Sequence, residues 1–428
     1  MKKKYRIILY TSIFLLCVVA SIILVVKKSN SVYEEESKPK VVKHKSMLSM
    51  NLEQTAGAGD YKTVTQSKWP TEGYKFNAEL SRCENGSTLS WDDTKKAVIV
   101  SGNLSDKCYV YFDIYQPTLA EYIKSQYTGT QGENNIYYHD SDLANGAGDN
   151  SYRYAGANPN NFVCFGTTES PCPTDNLYRI IGVFGENYHG VTGKQLVKLI
   201  KYDYMTTDEL GTDGDYSQTY KEWGMDSTYK GTYGDGERIG VYYWNYKATG
   251  SATNTWSTSL LNKTNLNTNF INNIGTTWAN KIATVTWKVG GNTWANIGTK
   301  TSSVAYTNEI TNPVTTNTTD NATTYSAKIG LMYVSDYGFA ASPDAWTLTM
   351  SSYNNTTATN NNWMYMGLYE WTISRNADDS LVAFYVDCDG GVDYHVDGKL
   401  GVRASFNLES SVSYVSGSGS MSDPIVIN

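Results

Sequence analysis

The chain has 428 residues, with 35 Lys and Arg against 42 Asp and Glu, a net charge of −7. Six of the basic residues and none of the acidic ones fall in the first 28 positions, so the rest holds 29 cations against 42 anions, a net −13. That acidic balance argues against electrostatic binding of nucleic acid, which needs basic side chains to neutralise phosphates, and of anionic lipid by this part of the chain.

Residues 1–6 contain Lys2, Lys3, Lys4 and Arg6 and read as a cytoplasmic tail. Residues 7–26 are uncharged, diluted only by Thr11, Ser12 and Ser21, and closed by Lys27 and Lys28. Twenty residues at about 1.5 Å each span about 30 Å, one bilayer core. The run exceeds the apolar stretch of a signal peptide, about 7–15 residues, and lacks a small-residue cleavage site. It is therefore read as an uncleaved transmembrane helix. The alternatives are a cleaved signal and a lipoprotein at Cys17, where Leu16 replaces the small residue such processing wants. Four basic residues before the run against two directly after it predict a cytoplasmic N-terminus and an extracellular remainder. Residues 27–45, with Glu34, Glu35, Glu36, Lys38 and Lys40, read as a solvated stalk.

Residues 46–115 read as a small β module, with strands over 46–52, 74–80, 87–91, 97–100 and 108–114. The last, CYVYFDI, alternates clearly. Cys83 and Cys108 bracket the two middle strands and are paired. A core this small gains from such a staple. Cys164 and Cys172 enclose a short loop and are paired as well. In an oxidising exterior Cys388 is then odd, with three readings: a buried free thiol, an intermolecular link or a modification site.

Pro117 breaks the chain, and Thr118 to Glu121 forms a capping box opening a short helix. A second, larger domain is expected over 116–428. A hairpin is predicted over 175–184 and 195–201. Amphipathic helix is predicted over 256–274, loops over 206–240, 311–324 and 351–362, and strands over 371–375, 381–386, 391–396, 401–408 and 424–427. With 35 Tyr and 11 Trp against 10 Phe, half-exposed strands should dominate. The expected class is α+β.

Several segments carry a resemblance. They are NFVCFG at 161–166, CPTDNLYRIIGVF at 172–184, VKLIK at 197–201, YGFAASPDAW at 337–346 and NWMYMGLYEWTISR at 362–375. GVRASFNL at 401–408 and SGSGSMSDP at 416–424 complete the set. Together they resemble a family of Gram-positive bacterial surface proteins to which no chemistry is assigned, with Ala404 where that family's closing strand has proline. CENGS at 83–87 and DKCYVYF at 106–112 resemble a small β module often placed before it. The family is similar to C-type-lectin-like and formylglycine-generating-enzyme-like domains. Beyond the transmembrane helix read at 7–26, the resemblance, which covers roughly residues 46–428, implies a small disulfide-stapled β module and a C-type-lectin-like mixed β/α domain. A different mixed β sandwich is the alternative.

The residues that carry the borrowed functions are missing. Calcium-dependent sugar readers need Glu-Pro-Asn or Gln-Pro-Asp, and the nearest here are Asn158-Pro159-Asn160 and Gln116-Pro117-Thr118. The sulfatase-modifying chemistry needs two cysteines in the C-terminal core, where only Cys388 stands. His44, His139, His189 and His395 are far apart and read as loop or surface histidines. Ser227 and Lys230 meet a Ser-x-x-Lys pattern without its companion motifs. No enzyme is expected. Asp387, Asp389 and Asp393 make a weak calcium candidate against a plain hairpin turn, and no other cofactor is implied.

The expectation is a membrane-anchored surface protein that recognises a glycan or a host or surface protein. The alternative is a structural envelope subunit. Loops on a rigid scaffold commonly carry function, so contact is expected over 206–240 and 351–363, through Trp223, Tyr229, Tyr233 and Tyr353.

Overall fold

The structure is a computed structural model. It describes residues 48–65, 68–70, 73–103, 105–185, 193–214, 216–217, 229–233, 238–247, 253–313, 323–395 and 398–428. The expected tail, transmembrane run 7–26 and stalk lie outside these. Among the described residues no helix is long and apolar enough to cross a membrane. The chain divides into two compact units, Met1–Tyr115 and Gln116–Asn428.

The first unit contains β1 (Leu48–Glu53), β2 (Tyr61–Val64), β3 (Tyr74–Cys83), β4 (Thr88–Asp92), β5 (Ala97–Ser101) and β6 (Cys108–Ile114). The sheet runs β2-β1-β6-β3, and β4 and β5 form a separate hairpin. Alternation in β6 puts Val110 and Phe112 inward beside Met50 and Leu52, with the Trp91 ring edge-on to Phe112 at 5.6 Å. Cys83 and Cys108 face each other across β3 and β6 and are joined as a disulfide.

The second unit is mixed α+β, mostly strands. Its opening helix α1 (Leu119–Ser125) carries the expected capping box between Thr118 and Glu121. Then come β7 (Ile136–His139), β8 (Ser151–Tyr154), β9 (Phe162–Cys164), β10 (Leu177–Phe184) and β11 (Leu196–Lys201). The predicted hairpin is present as β10 antiparallel to β11. Every residue of both strands is buried, including Arg179, Lys198 and Lys201. Gly182 is required there, because a Cβ would collide with the Tyr152 carbonyl of β8. Cys164 and Cys172 form the second disulfide. Two disulfides place the chain in an oxidising compartment.

The stretch expected to be helical from 256 to 274 is a short turn, Trp256–Thr258. It is followed by wide π-type turns over Leu261–Phe270 running into Ile271–Ala279. Leu261, Leu266 and Phe270 are buried from it. The 351–362 loop is a correction: Met350–Asn354 and Thr356–Asn360 are helical, with Met350, Tyr353 and Ala358 buried. Asn355 caps the second by accepting from the Ala358 amide.

The strand expected over 401–408 is two. Lys399–Gly401 joins the sheet of Glu370–Asn376, and Ser405–Asn407 joins β11. Arg403 lies at the crossover and holds Glu370 through Nε–Oε1 and Nη2–Oε2 bonds of 2.8 Å each.

Candidate functional site

A cleft of about 400 Å³ opens in the second unit. Its cationic wall starts from β10. Arg179 stands there opposite Phe162 of β9 in the antiparallel register. Its guanidinium lies 4.3 Å from the Phe162 ring centroid and 4.7 Å from that of Trp363. Trp363 is fixed in turn, its indole Nε1 donating to the Tyr154 carbonyl at 2.8 Å. The Arg179 side chain is 6% exposed. It donates from Nε to Asn161 Oδ1 at 2.7 Å, from Nη1 to the Trp363 carbonyl at 3.3 Å and from Nη2 to the Pro159 carbonyl at 3.1 Å. All three acceptors are neutral. Burial pulls its pKa down to about 9, because a desolvated cation without a counter-charge is disfavoured. It stays protonated at neutral pH.

The two loop regions singled out by sequence meet at this cleft. Lys230, from the first, donates to the Thr359 carbonyl at 3.1 Å. Its ammonium sits 4.3 Å from the Tyr365 ring centroid, and partial desolvation there lowers its pKa. Asn360, Asn362 and Trp363, from the second, also line it, with Asn158 and Asn160. No Asp or Glu is among the lining residues. The arrangement is therefore two cations, several amides and aromatic faces, suited to holding a polar, anionic group and lacking a nucleophile–base pair.

The expected contact residues are placed elsewhere. Trp223 lies outside the described residues. Tyr229 is half-buried, and its hydroxyl donates to the Asp203 carboxylate at 2.6 and 2.7 Å. Tyr233 is buried beneath Arg238, 4.8 Å from its ring. Tyr353 is wholly buried, hydrogen-bonded to Ser302 Oγ at 2.8 Å and donating to the Gly338 carbonyl at 3.0 Å. As exposed contact surfaces Tyr233 and Tyr353 are corrected: each ring has more apolar area to bury than solvent to meet. None of these tyrosines lines the cleft.

The weak calcium candidate is not assembled. Among the described residues no group of three or more His, Cys, Asp or Glu is placed to hold a metal. Asp389 Oδ1 accepts from the Gly391 amide and Asp393 Oδ1 from the Tyr394 amide, so the hairpin uses these carboxylates locally. His139 is also corrected, from a surface residue to a fully buried one on β7. His44 and His189 lie outside the described residues.

Arg179 and Lys230 were missed as site residues. The available signal was one arginine inside the otherwise apolar strand YRIIGVF, a position where a charge needs a reason. No family model, curated protein or solved structure matches the chain.

Proposed function

We propose that this chain is a surface recognition protein. Residues 7–26 anchor it in the membrane with the N-terminus in the cytoplasm, and the remainder is displayed outside. A ligand is held in the cleft beside Arg179, on a C-type-lectin-like frame resembling Gram-positive surface proteins. The observation that carries this reading is the convergence of segments 229–233 and 356–363 on a cleft walled by a buried cation. The disulfides support an exterior location. The cleft's lining of amides, aromatics and cations, without carboxylate, histidine or cysteine, supports binding rather than catalysis.

The test uses cells displaying the full-length chain, probed on arrayed glycans and on immobilised cell-surface proteins. Protease added outside should digest the chain beyond Lys28. Adherence should fall on substitution of Lys230 or Asn360, which are exposed. Adherence to nothing, together with self-association of the purified chain, would replace this reading with a structural envelope subunit.

A further inference from the structure

Four other buried cations of the second unit, Arg153, Lys198, Lys201 and Arg403, are each matched to a carboxylate. Arg153 meets Asp149 at 2.7 Å, Lys198 meets Asp336 at 2.5 Å, Lys201 meets Glu209 at 3.0 Å and Arg403 meets Glu370 at 2.8 Å. This follows the rule that buried charges are paired. Arg179 departs from it: among the described residues its partners are a side-chain amide and two carbonyls. A guanidinium has five N–H donors. Three are placed on those acceptors, leaving one on each terminal nitrogen. A carboxylate takes such a pair in a bidentate bond.

The Phe162 and Trp363 rings pack against the guanidinium and three acceptors hold it, so the fork is oriented before a ligand arrives and little entropy is lost on binding. The site is cationic although the whole chain carries −7, and the exposed Lys230 adds a second positive charge at the mouth. Around that mouth the side chains of Asn158, Asn160 and Asn360 are exposed. Among the described residues these amides make no side-chain hydrogen bond to protein. Each offers a donor and an acceptor, the complement of a hydroxyl group, which is also both. The volume of about 400 Å³ falls in the range of small-ligand sites.

We infer that the cleft takes an acidic saccharide, its carboxylate on Arg179 with Lys230 nearby and its hydroxyls on the amide rim. The inference rests on the recognition reading above and names its ligand class.

The test uses the full-length chain in detergent against matched oligosaccharides: uronic-acid free acids, their methyl esters, sulfate esters and neutral counterparts. A short peptide with a free C-terminal carboxylate is included. Free acids should bind, and methyl esterification should weaken binding by about tenfold, the worth of one charged hydrogen-bonded contact. R179Q should abolish that discrimination. K230Q, at an exposed position, should weaken acid binding by about threefold and flatten its salt dependence with an unchanged melting temperature. If R179Q does not fold, esterification and K230Q decide. Equal binding of acids and esters overturns the inference, as does a preference for the sulfate esters, the neutral sugars or the peptide, or acid binding that K230Q leaves unchanged. A neutral sugar whose binding is lost in K230Q overturns the carboxylate and leaves the recognition reading standing. Binding of no set overturns the inference, and the recognition reading is then decided by the display experiment.

Discussion

Lys198 Nζ lies 2.5 Å from Asp336 Oδ2, with the two side chains 0% and 1% exposed. The pair ties β11 to the start of helix Val334–Ala340, where the same carboxylate oxygen also accepts from the Tyr333 amide. Burial lowers the Lys198 pKa, and the Asp336 charge opposes that shift. Removing one partner strands a charge in the core. K198M should cost about 3–5 kcal/mol, read as a shift of the denaturant midpoint. K198M/D336L should recover most of the loss. A single substitution that leaves the midpoint in place would contradict the buried pairing.

Asp149 governs acid stability. Burial raises its pKa, but Arg153, Ser151 and Tyr306 together outweigh burial and hold it well below the usual carboxylate range. A carboxylate depressed in the folded state contributes stability that is complete above its unfolded pKa, about 4, and lost as pH falls toward the folded value. The melting temperature should therefore drop steeply below about pH 4. D149N should be less stable at neutral pH and lose less on acidification. A wild-type acid limb as shallow as that of D149N would count against this network.

Tyr353 separates core from contact surface. With its ring buried and its hydroxyl bonded to Ser302 and Gly338, Y353A should destabilise by about 3–5 kcal/mol through the cavity left behind. Y353F should cost about 1 kcal/mol for the lost hydrogen bonds. An undisturbed melting curve for Y353A, with ligand binding lost, would return Tyr353 to the surface.

Cys388 should be sluggish. It is the free cysteine among the described residues. Burial, with Asp387 beside it, pushes its thiol up to about 12. Only the thiolate attacks, and at pH 8 a thiol of this pKa is ionised to about one part in ten thousand. Iodoacetamide at pH 8 should label Cys388 at least about a hundredfold more slowly in the folded chain than in the denatured one. Non-reducing peptide maps should show Cys83 joined to Cys108 and Cys164 to Cys172. Labelling of folded Cys388 at the denatured rate would show an open thiol.

Local pattern accounts for much of this molecule. Alternation in CYVYFDI places β6, the Thr118–Glu121 spacing places the first helix of the second unit, and the two disulfides follow from cysteines that bracket a hairpin, Cys83 and Cys108, or a short loop, Cys164 and Cys172. These are short-range matters, settled by residues that touch along the chain or across one turn. The cleft is different. Its cation comes from residue 179, its aromatic walls from 162 and 363, and its mouth from 158, 230 and 360. Nothing within a window of sequence tells that they meet. Tyr353 and Tyr233 looked like loop aromatics because their neighbours are polar, yet packing buried them. The strand expected at 401–408 divides between two sheets, and at the crossover Arg403 holds Glu370, a partner 33 residues away in sequence. Sequence by itself determined β6, the β10–β11 hairpin, the Thr118 cap and the cysteine pairs. Tertiary structure alone decided which charges met a counter-charge and which, like Arg179 among the described residues, met only neutral acceptors.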